Sequence, residues 1–276
     1  QMCIRDRCSL LKKIQTAEME VSEMEERKIG QIKEELKAAT EAMLPSFIMA
    51  YESDERSGVI KLVEQAKKRL QKLEEERKRI WKLQEYERKY GQYTYICGID
   101  EVGRGPLAGP VVAGAVILPK GKRILYVNDS KKLSEKKRDE LFDVIKEEAL
   151  SYGIGIVSPE RIDEINILQA TYEAMHEAVN KLSVKPDILL NDAVTIPGID
   201  VKQIPIIKGD AKSLSIASAS ILAKVTRDRL MTEYDSLYPE YGFARHKGYG
   251  TKVHIEAIKE YGPCPIHRRT FIKNFI

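Results

Sequence analysis

The 276-residue sequence is poor in cysteine, with Cys3, Cys8, Cys97 and Cys264 only, and poor in histidine, with four. No C-x-x-C pair and no dense cysteine framework is present, so neither a zinc site nor a disulfide scaffold is indicated, and a reducing, cytosolic setting is expected. Long apolar runs are also missing. The most apolar stretch, LAGPVVAGAVIL at 107–118, falls short of the roughly 20 residues a membrane helix needs and contains Gly and Pro, so no membrane partner is expected. The start, QMCIRDRC, lacks an initial Met and the apolar segment of a secretory signal, and residues 1–8 read as either a fragment edge or a non-native leader and are set aside. Neither sign of charge dominates: 46 Lys+Arg against 42 Asp+Glu give +4, which permits a polyanionic partner without demanding one.

Glycine and proline nearly vanish from residues 9–90, where only Gly30, Gly58 and Pro45 interrupt a composition of Glu, Lys, Arg, Leu and Met. That is helix composition. From Val59 the apolar positions Val63, Ala66, Leu70, Leu73 and Ile80 recur at spacings of three, four and seven, which predicts one face of a long amphipathic helix reaching towards Tyr90. Residues 56–90 carry twelve Lys/Arg against six Asp/Glu, whereas 1–55 carry eight against twelve. The basic excess suits either a solvated or coiled-coil arm or a helix laid along a nucleic-acid backbone.

After Tyr90 the texture alternates between strand and helix patterns, so residues 91–276 are expected to form a separate α/β domain. Strands are predicted at 94–100, 111–118, 153–157, 187–192 and 203–207. Helices are predicted at 134–150 after the N-cap Ser134, at 166–182 with Leu168, Tyr172, Met175, Val179 and Leu182 on one face, and at 213–237 before Pro239. Ser158-Pro159 reads as a further helix start.

Asp100 and Glu101 end the first predicted strand, and two later strand candidates run into Asp192 and Asp210. Strands lying side by side bring such ends to one sheet edge, where open α/β folds bind ligands. Gathered there, the carboxylates make a hard-oxygen site for Mg²⁺ or Mn²⁺. Taken singly, each acid also reads as an ordinary turn residue, and spacing alone does not show convergence.

Five motifs in series carry a resemblance: GIDEVGRGPLAGP at 98–110, NDSKKLS at 128–134, KGDAKS at 208–213, ASILAKVTRD at 219–228 and HKGY at 246–249. Over nearly all of 94–275 the sequence resembles bacterial ribonuclease HII, the type 2 ribonuclease H family. The resemblance implies a ribonuclease H-like mixed sheet flanked by helices, here preceded by a helical extension. It implies an acidic quartet, Asp100, Glu101, Asp192 and Asp210, holding two divalent ions. It also implies an endonuclease that hydrolyses the RNA strand of RNA/DNA hybrids and nicks 5′ of single ribonucleotides in duplex DNA, leaving 5′-phosphate and 3′-hydroxyl ends. A metal-free ribonuclease would instead lean on histidine, and His176 lies on a helix pattern that suits a surface or core role.

By the same resemblance the Gly103-Arg104-Gly105 turn senses the ribose 2′-hydroxyl and Tyr249 stacks on the next deoxyribose. Read alone, the first is a tight turn and the second a packing residue. Asn128, Ser130 and Lys131 read alone as an ordinary polar loop before a helix and by the resemblance as a phosphate-contacting loop, and Lys208 and Lys212 flank Asp210 with positive charge. Lys224 and Arg227 stand one turn apart on the 213–237 helix, facing either phosphate or solvent. His246 and Lys247 adjoin Tyr249 without an assigned role. One departure stands out: many family members have glycine after the third acid, where this sequence has Ala193. The rival readings are a ribonuclease HIII-like nuclease, which would lack the Gly-Arg-Gly signature and the stacking tyrosine, a non-catalytic nucleic-acid binding module, and an assembly protein working through 9–90.

Overall fold

The computed structural model describes residues 27–274; residues 1–8, read as a fragment edge or leader, and the first part of the helical segment lie outside the described residues. Contacts divide the chain into two compact units between Lys78 and Arg79. In the first, α1 (Ile29–Ala38), α2 (Leu44–Tyr51) and most of α3 (Ser57–Leu83) enclose a core of Ile32, Leu36, Leu44, Phe47, Val59 and Val63. Pro45 sits in the first turn of α2, where its missing N–H leaves no bond unmade. Arg69 donates to the carbonyls of Leu36 at 3.1 Å and Ala39 at 2.9 Å, satisfying acceptors that the end of α1 leaves open.

In the second unit the predicted run to Tyr90 is broken once. Gln84 leaves helical geometry, its side-chain amide donates to the Lys122 carbonyl at 2.8 Å, and a short α4 (Glu85–Lys89) follows. Five strands, β1 (Ile96–Val102), β2 (Val111–Ile117), β3 (Ser151–Val157), β4 (Ile188–Asp192) and β5 (Lys202–Ile206), then form one mixed sheet in the order β3-β2-β1-β4-β5. β2 is antiparallel to both neighbours, whereas β1, β4 and β5 run parallel. The parallel trio puts three strand ends at one edge.

Strand alternation sorts the two faces. Cys97, Ile99, Ala113 and Ala115 pack towards α6 (Pro159–Asn180), while Val116 joins Leu214, Ala217 and Leu222 of α7 (Leu214–Leu237) and Leu141 and Ile145 of α5 (Glu135–Glu148). The two predicted starts of α6 are both used: Ser158 caps the helix at Pro159, and Asn166 (φ 67°) kinks it and accepts from the N–H groups of Leu168 and Gln169, recapping the second segment. On the opposite face, a Cβ at Gly98 would overlap the Ser215 and Ile216 backbone, and one at Gly114 would overlap the Ala219 carbonyl. These glycines let α7 lie directly on the sheet.

Because a rigid helix backbone fills the space, Gly98→Ala is expected to destabilise the protein by about 1–3 kcal/mol in denaturant unfolding. An unchanged unfolding midpoint would show that α7 has slack to move away.

Candidate active site

Asp100 and Glu101 lie near the end of β1 and leave the strand on opposite faces. Asp100 shares its face with Gly98 and so goes beneath α7, where it is 7% exposed and takes a bond from the Ser220 hydroxyl. Ser220 in turn shares a 3.0 Å bond with the buried Ser130 hydroxyl. Glu101 turns the other way: its Oε1 accepts from Arg104 at 3.3 Å, and its Oε2 is buried with no partner. Parallel register sets Ile99 beside Asn191, so Asp192, one step on, comes level with Asp100. Beyond β5 the chain doubles back through a 3-10 turn at Gly209–Ala211, whose Gly209 N–H donates to Asp192 Oδ1 at 2.8 Å and whose next residue is Asp210. Ala193 and Lys208, both at φ 58°, take up left-handed backbone beside these two acids. Ala193 thus adopts the geometry that a glycine would take more easily.

Burial holds Asp100 well above the ordinary carboxylate range, and the charges of Glu101 and Asp192 add to it against the Ser220 hydroxyl. Glu101 is raised by burial and Asp192 while Arg104 opposes; Asp210 is raised by burial, Asp129 and Asp192 while Lys131 opposes. Among the described residues no three His, Cys, Asp or Glu side chains stand together as a ready-made metal cage. The donors nevertheless fit a hard divalent cation. They are all carboxylate oxygens, Glu101 Oε2 has no proton donor, and their mutual repulsion is what a cation relieves.

The turn after β1 is gripped by two fully buried arginines. Arg268 donates to the carbonyls of Gly103, Arg104 (2.9 Å) and Gly109 (3.0 and 2.8 Å). Arg227 donates to those of Pro110 (2.9 Å), Ala108 (3.0 Å) and Lys247 (2.9 Å). Burial pushes Arg227 down to about 10 and Arg268, which also feels Arg227, to about 9. Gly103 (φ 91°) has no room for a Cβ, which would overlap the Arg227 side chain. Gly105 has nothing within 4 Å and no left-handed angle, so packing does not require glycine there.

Other expected residues divide. Lys131, Lys208 and Lys212 are exposed, and Lys131 acts on Asp210. Tyr249 is 42% exposed, and its loop is tied to the first turn by the Leu107 N–H donating to the Gly248 carbonyl at 2.8 Å. Ser130 is buried against Ser220, so its hydroxyl seats the loop on α7 rather than facing a ligand. Asn128 Oδ1 accepts from the Asp129 N–H at 2.9 Å. Lys224 is mostly buried and ion-paired with Asp228 at 2.6 Å, and Arg227 is a clamp, so neither of the two roles read from their spacing describes them. His176 bonds the Pro197 carbonyl at 2.6 Å, and Lys247 reaches Thr232 at 3.0 Å. Sequence reasoning missed Arg268, which nothing local distinguishes from Arg269, and Asp129, which adds charge against Asp210 and accepts from the Lys131 N–H. A separate cleft of about 360 Å³, lined in part by Trp81, Glu87, Tyr93 and Lys120, opens by the start of β1 and holds none of these residues.

A family model described as Ribonuclease HII matches residues 97–274, and one described as Ribonuclease HII N-terminal domain matches 28–91. Ribonuclease HII of Lachnoclostridium phytofermentans is 63% identical over 247 residues, covering 90% of this chain and 97% of that protein. The Clostridioides difficile protein of the same name is 56% identical over 255 residues, covering 92% and 100%. Among solved structures, ribonuclease H2 from Pyrococcus horikoshii aligns with a TM-score of 0.55 at 31% identity, covering 66% of this chain and 96% of that one. Ribonuclease HII of Archaeoglobus fulgidus, solved in complex with PCNA, aligns with a TM-score of 0.54 at 28% identity, covering 65% and 96%.

Removing one charge from a repelling, buried cluster relieves strain that the Ser220 hydroxyl offsets only in part and that a cation would offset further. Asp100→Asn is therefore expected to raise the melting temperature of the metal-free protein, by roughly 2–4 °C for each kcal/mol relieved. Mg²⁺ or Mn²⁺ should raise the wild-type melting temperature and move the variant less. Equal metal shifts in both would remove Asp100 from the cation site.

Proposed function

The chain belongs to the ribonuclease HII family and is a ribonuclease H-type endoribonuclease, and from that premise we propose that it cuts the ribonucleotide-bearing strand of RNA/DNA hybrids and nicks duplex DNA 5′ of a single embedded ribonucleotide. One observation carries the finer reading. Gly103-Arg104-Gly105 follows Glu101 by two residues, is clamped at its first two carbonyls by Arg268, and is open at Gly105. A sugar approaching Gly105 meets backbone instead of a side chain, and the 2′-hydroxyl is the donor and acceptor that separates RNA from DNA.

Each neighbouring group then has a task. Arg104, resting on Glu101 at 3.3 Å and half-exposed, offers a guanidinium to a phosphate. Lys131, Lys208 and Lys212 supply positive charge around Asp210 for the strand backbone. Tyr249 offers its exposed ring to the adjoining deoxyribose. Asp100, Glu101, Asp192 and Asp210 would hold two Mg²⁺ or Mn²⁺ ions, which supply water activation and stabilisation of the leaving oxygen. In the hydrolysis the water oxygen bonds phosphorus, the upstream 3′-oxygen leaves and takes up a proton, and the ends are 3′-hydroxyl and 5′-phosphate. Catalysis is assigned to residues 91–276, and the helical segment before it to duplex engagement, on the basic excess of 56–90.

The test is cleavage of a labelled DNA duplex carrying one ribonucleotide, with Mg²⁺, with Mn²⁺ and with chelator. A metal-dependent nick 5′ of the ribonucleotide is expected from the wild type and none from Asp100→Asn. Gly105→Ala should keep the wild-type melting temperature and lose at least about tenfold in kcat/KM, since its methyl enters only the space the sugar needs. Full activity of Gly105→Ala would sink the 2′-hydroxyl role. Binding without any nick by folded wild type would sink cleavage at embedded ribonucleotides.

A further inference from the structure

Three of the four histidines pack together near the Tyr249 loop. The His246 and His254 rings stack with centroids 4.5 Å apart, His254 and His267 lie 5.2 Å apart, and Phe243 and Tyr241 close the cluster edge-on. Hydrogen bonding fixes the proton on each ring. The Cys264 N–H points at His267 Nδ1 at 3.0 Å, so that nitrogen accepts and neutral His267 carries its proton on Nε2. This Nε2 stands 3.0 Å from His254 Nε2, which must therefore accept, leaving the His254 proton on Nδ1. Nδ1 lies 2.9 Å from the Tyr249 carbonyl, which can only accept. His246 is fixed in the same way, accepting from the Gly248 N–H at Nδ1 and donating from Nε2 to the Tyr241 carbonyl at 2.8 Å.

One tautomer per ring satisfies every contact, and donation runs one way from Cys264 through His267 and His254 to Tyr249. The group does not form a metal cage. Cys264 Sγ lies by Nδ1 of His267 while His254 lies by Nε2, so the donors sit on opposite sides of that ring. Burial keeps His254 and His267 near 4, below their ordinary range, which agrees with neutral rings.

The end of this relay is a strained loop. Lys247 (φ 52°) is a left-handed non-glycine residue, a backbone state that persists only where its surroundings hold it, and Gly248 (φ 83°) continues the left-handed turn at no such cost. Tyr249 follows directly, its N–H bonded to the His246 carbonyl at 3.0 Å and its carbonyl accepting from both Thr251 N–H at 2.8 Å and His254. We propose that His254, backed by His267, is a positioning residue for substrate, fixing the Tyr249 carbonyl and through it the angle at which the exposed tyrosine ring meets the sugar. The proposal rests on the stacking role given to Tyr249 above.

The test uses the full chain and a duplex with one ribonucleotide, reading KM and kcat separately, with thermal melting to confirm folding. His254→Leu removes the donor; His254→Asn restores an N–H close to the Nδ1 position. His254→Leu is expected to raise KM about tenfold, the scale of one lost stacking contact, with kcat little changed, and His254→Asn to recover most of it. Nitrogen-15 NMR of the wild type should place the His254 proton on Nδ1 and the His267 proton on Nε2. The opposite tautomer at His254, a folded His254→Leu with wild-type KM, or failure of His254→Asn to recover it would each overturn the proposal. Tyr249→Leu run in parallel separates the two claims. Wild-type KM there overturns the stacking role and with it the substrate half of the proposal, whereas raised KM there with normal KM in His254→Leu overturns positioning alone.

Discussion

Burying a carboxylate beneath a helix backbone is unfavourable, and the second unit is built around doing so. Gly98 and Gly114 bring α7 onto the sheet with no side chain between, and Asp100, two residues beyond Gly98 on the same face, is carried underneath. Its desolvation is only partly offset by the Ser220 hydroxyl, and Glu101 and Asp192 add repulsion. The same close contact that builds the core thus stores an unfavourable charge at its edge. A cation placed there would recover that energy, and its binding would then be linked to folding stability through this carboxylate.

A second requirement is to hold the turn after β1 still without covering it. Arg227 and Arg268 meet that need with backbone carbonyls as partners. A planar guanidinium satisfies several carbonyls at once, which a single ammonium cannot do with the same fixed geometry. Residues 103–110, the helix residue 227, the loop at 247 and the segment at 268 are thereby joined into one piece. The segment at 268 thus holds the turn after β1 although it supplies no acid.

The five strands were legible because β2 is continuously apolar and the others end in turn signals, and the places of the acids at or just beyond strand ends were legible with them, since β1 and β4 run parallel and the turn after β5 carries Asp210. The faces of α7 were not. Leu214 to Ala223 is almost wholly buried and rich in Ala and Ser, so no polar stripe tells which way the helix turns. Spacing alone therefore left Lys224 and Arg227 facing either phosphate or solvent, when one is ion-paired to Asp228 and the other reaches across to the Pro110 and Ala108 carbonyls. Arg268 was hidden for a related reason: its partners are carbonyls more than a hundred residues away, and a carbonyl leaves no mark in a sequence. The break at Gln84 likewise depends on the distant Lys122 carbonyl.

Left-handed backbone shows where the fold gives up local comfort. Of the five non-glycine residues with positive φ among those described, Ala193 and Lys208 follow β4 and β5, and Lys247 precedes Tyr249. Each such residue costs roughly 1–2 kcal/mol against ordinary geometry. Around the acids, the return is that Gly209 reaches Asp192 Oδ1 and brings Asp210 beside it, a bond that neither strand could make if it simply ran on. Glycine at 193 would ease the turn but would also loosen the unfolded and native chain there. An alanine held left-handed by the Ala193 N–H bond to the Ile206 carbonyl at 3.0 Å keeps the third acid on a stiff support, which is what a site assembled from separate strand ends requires.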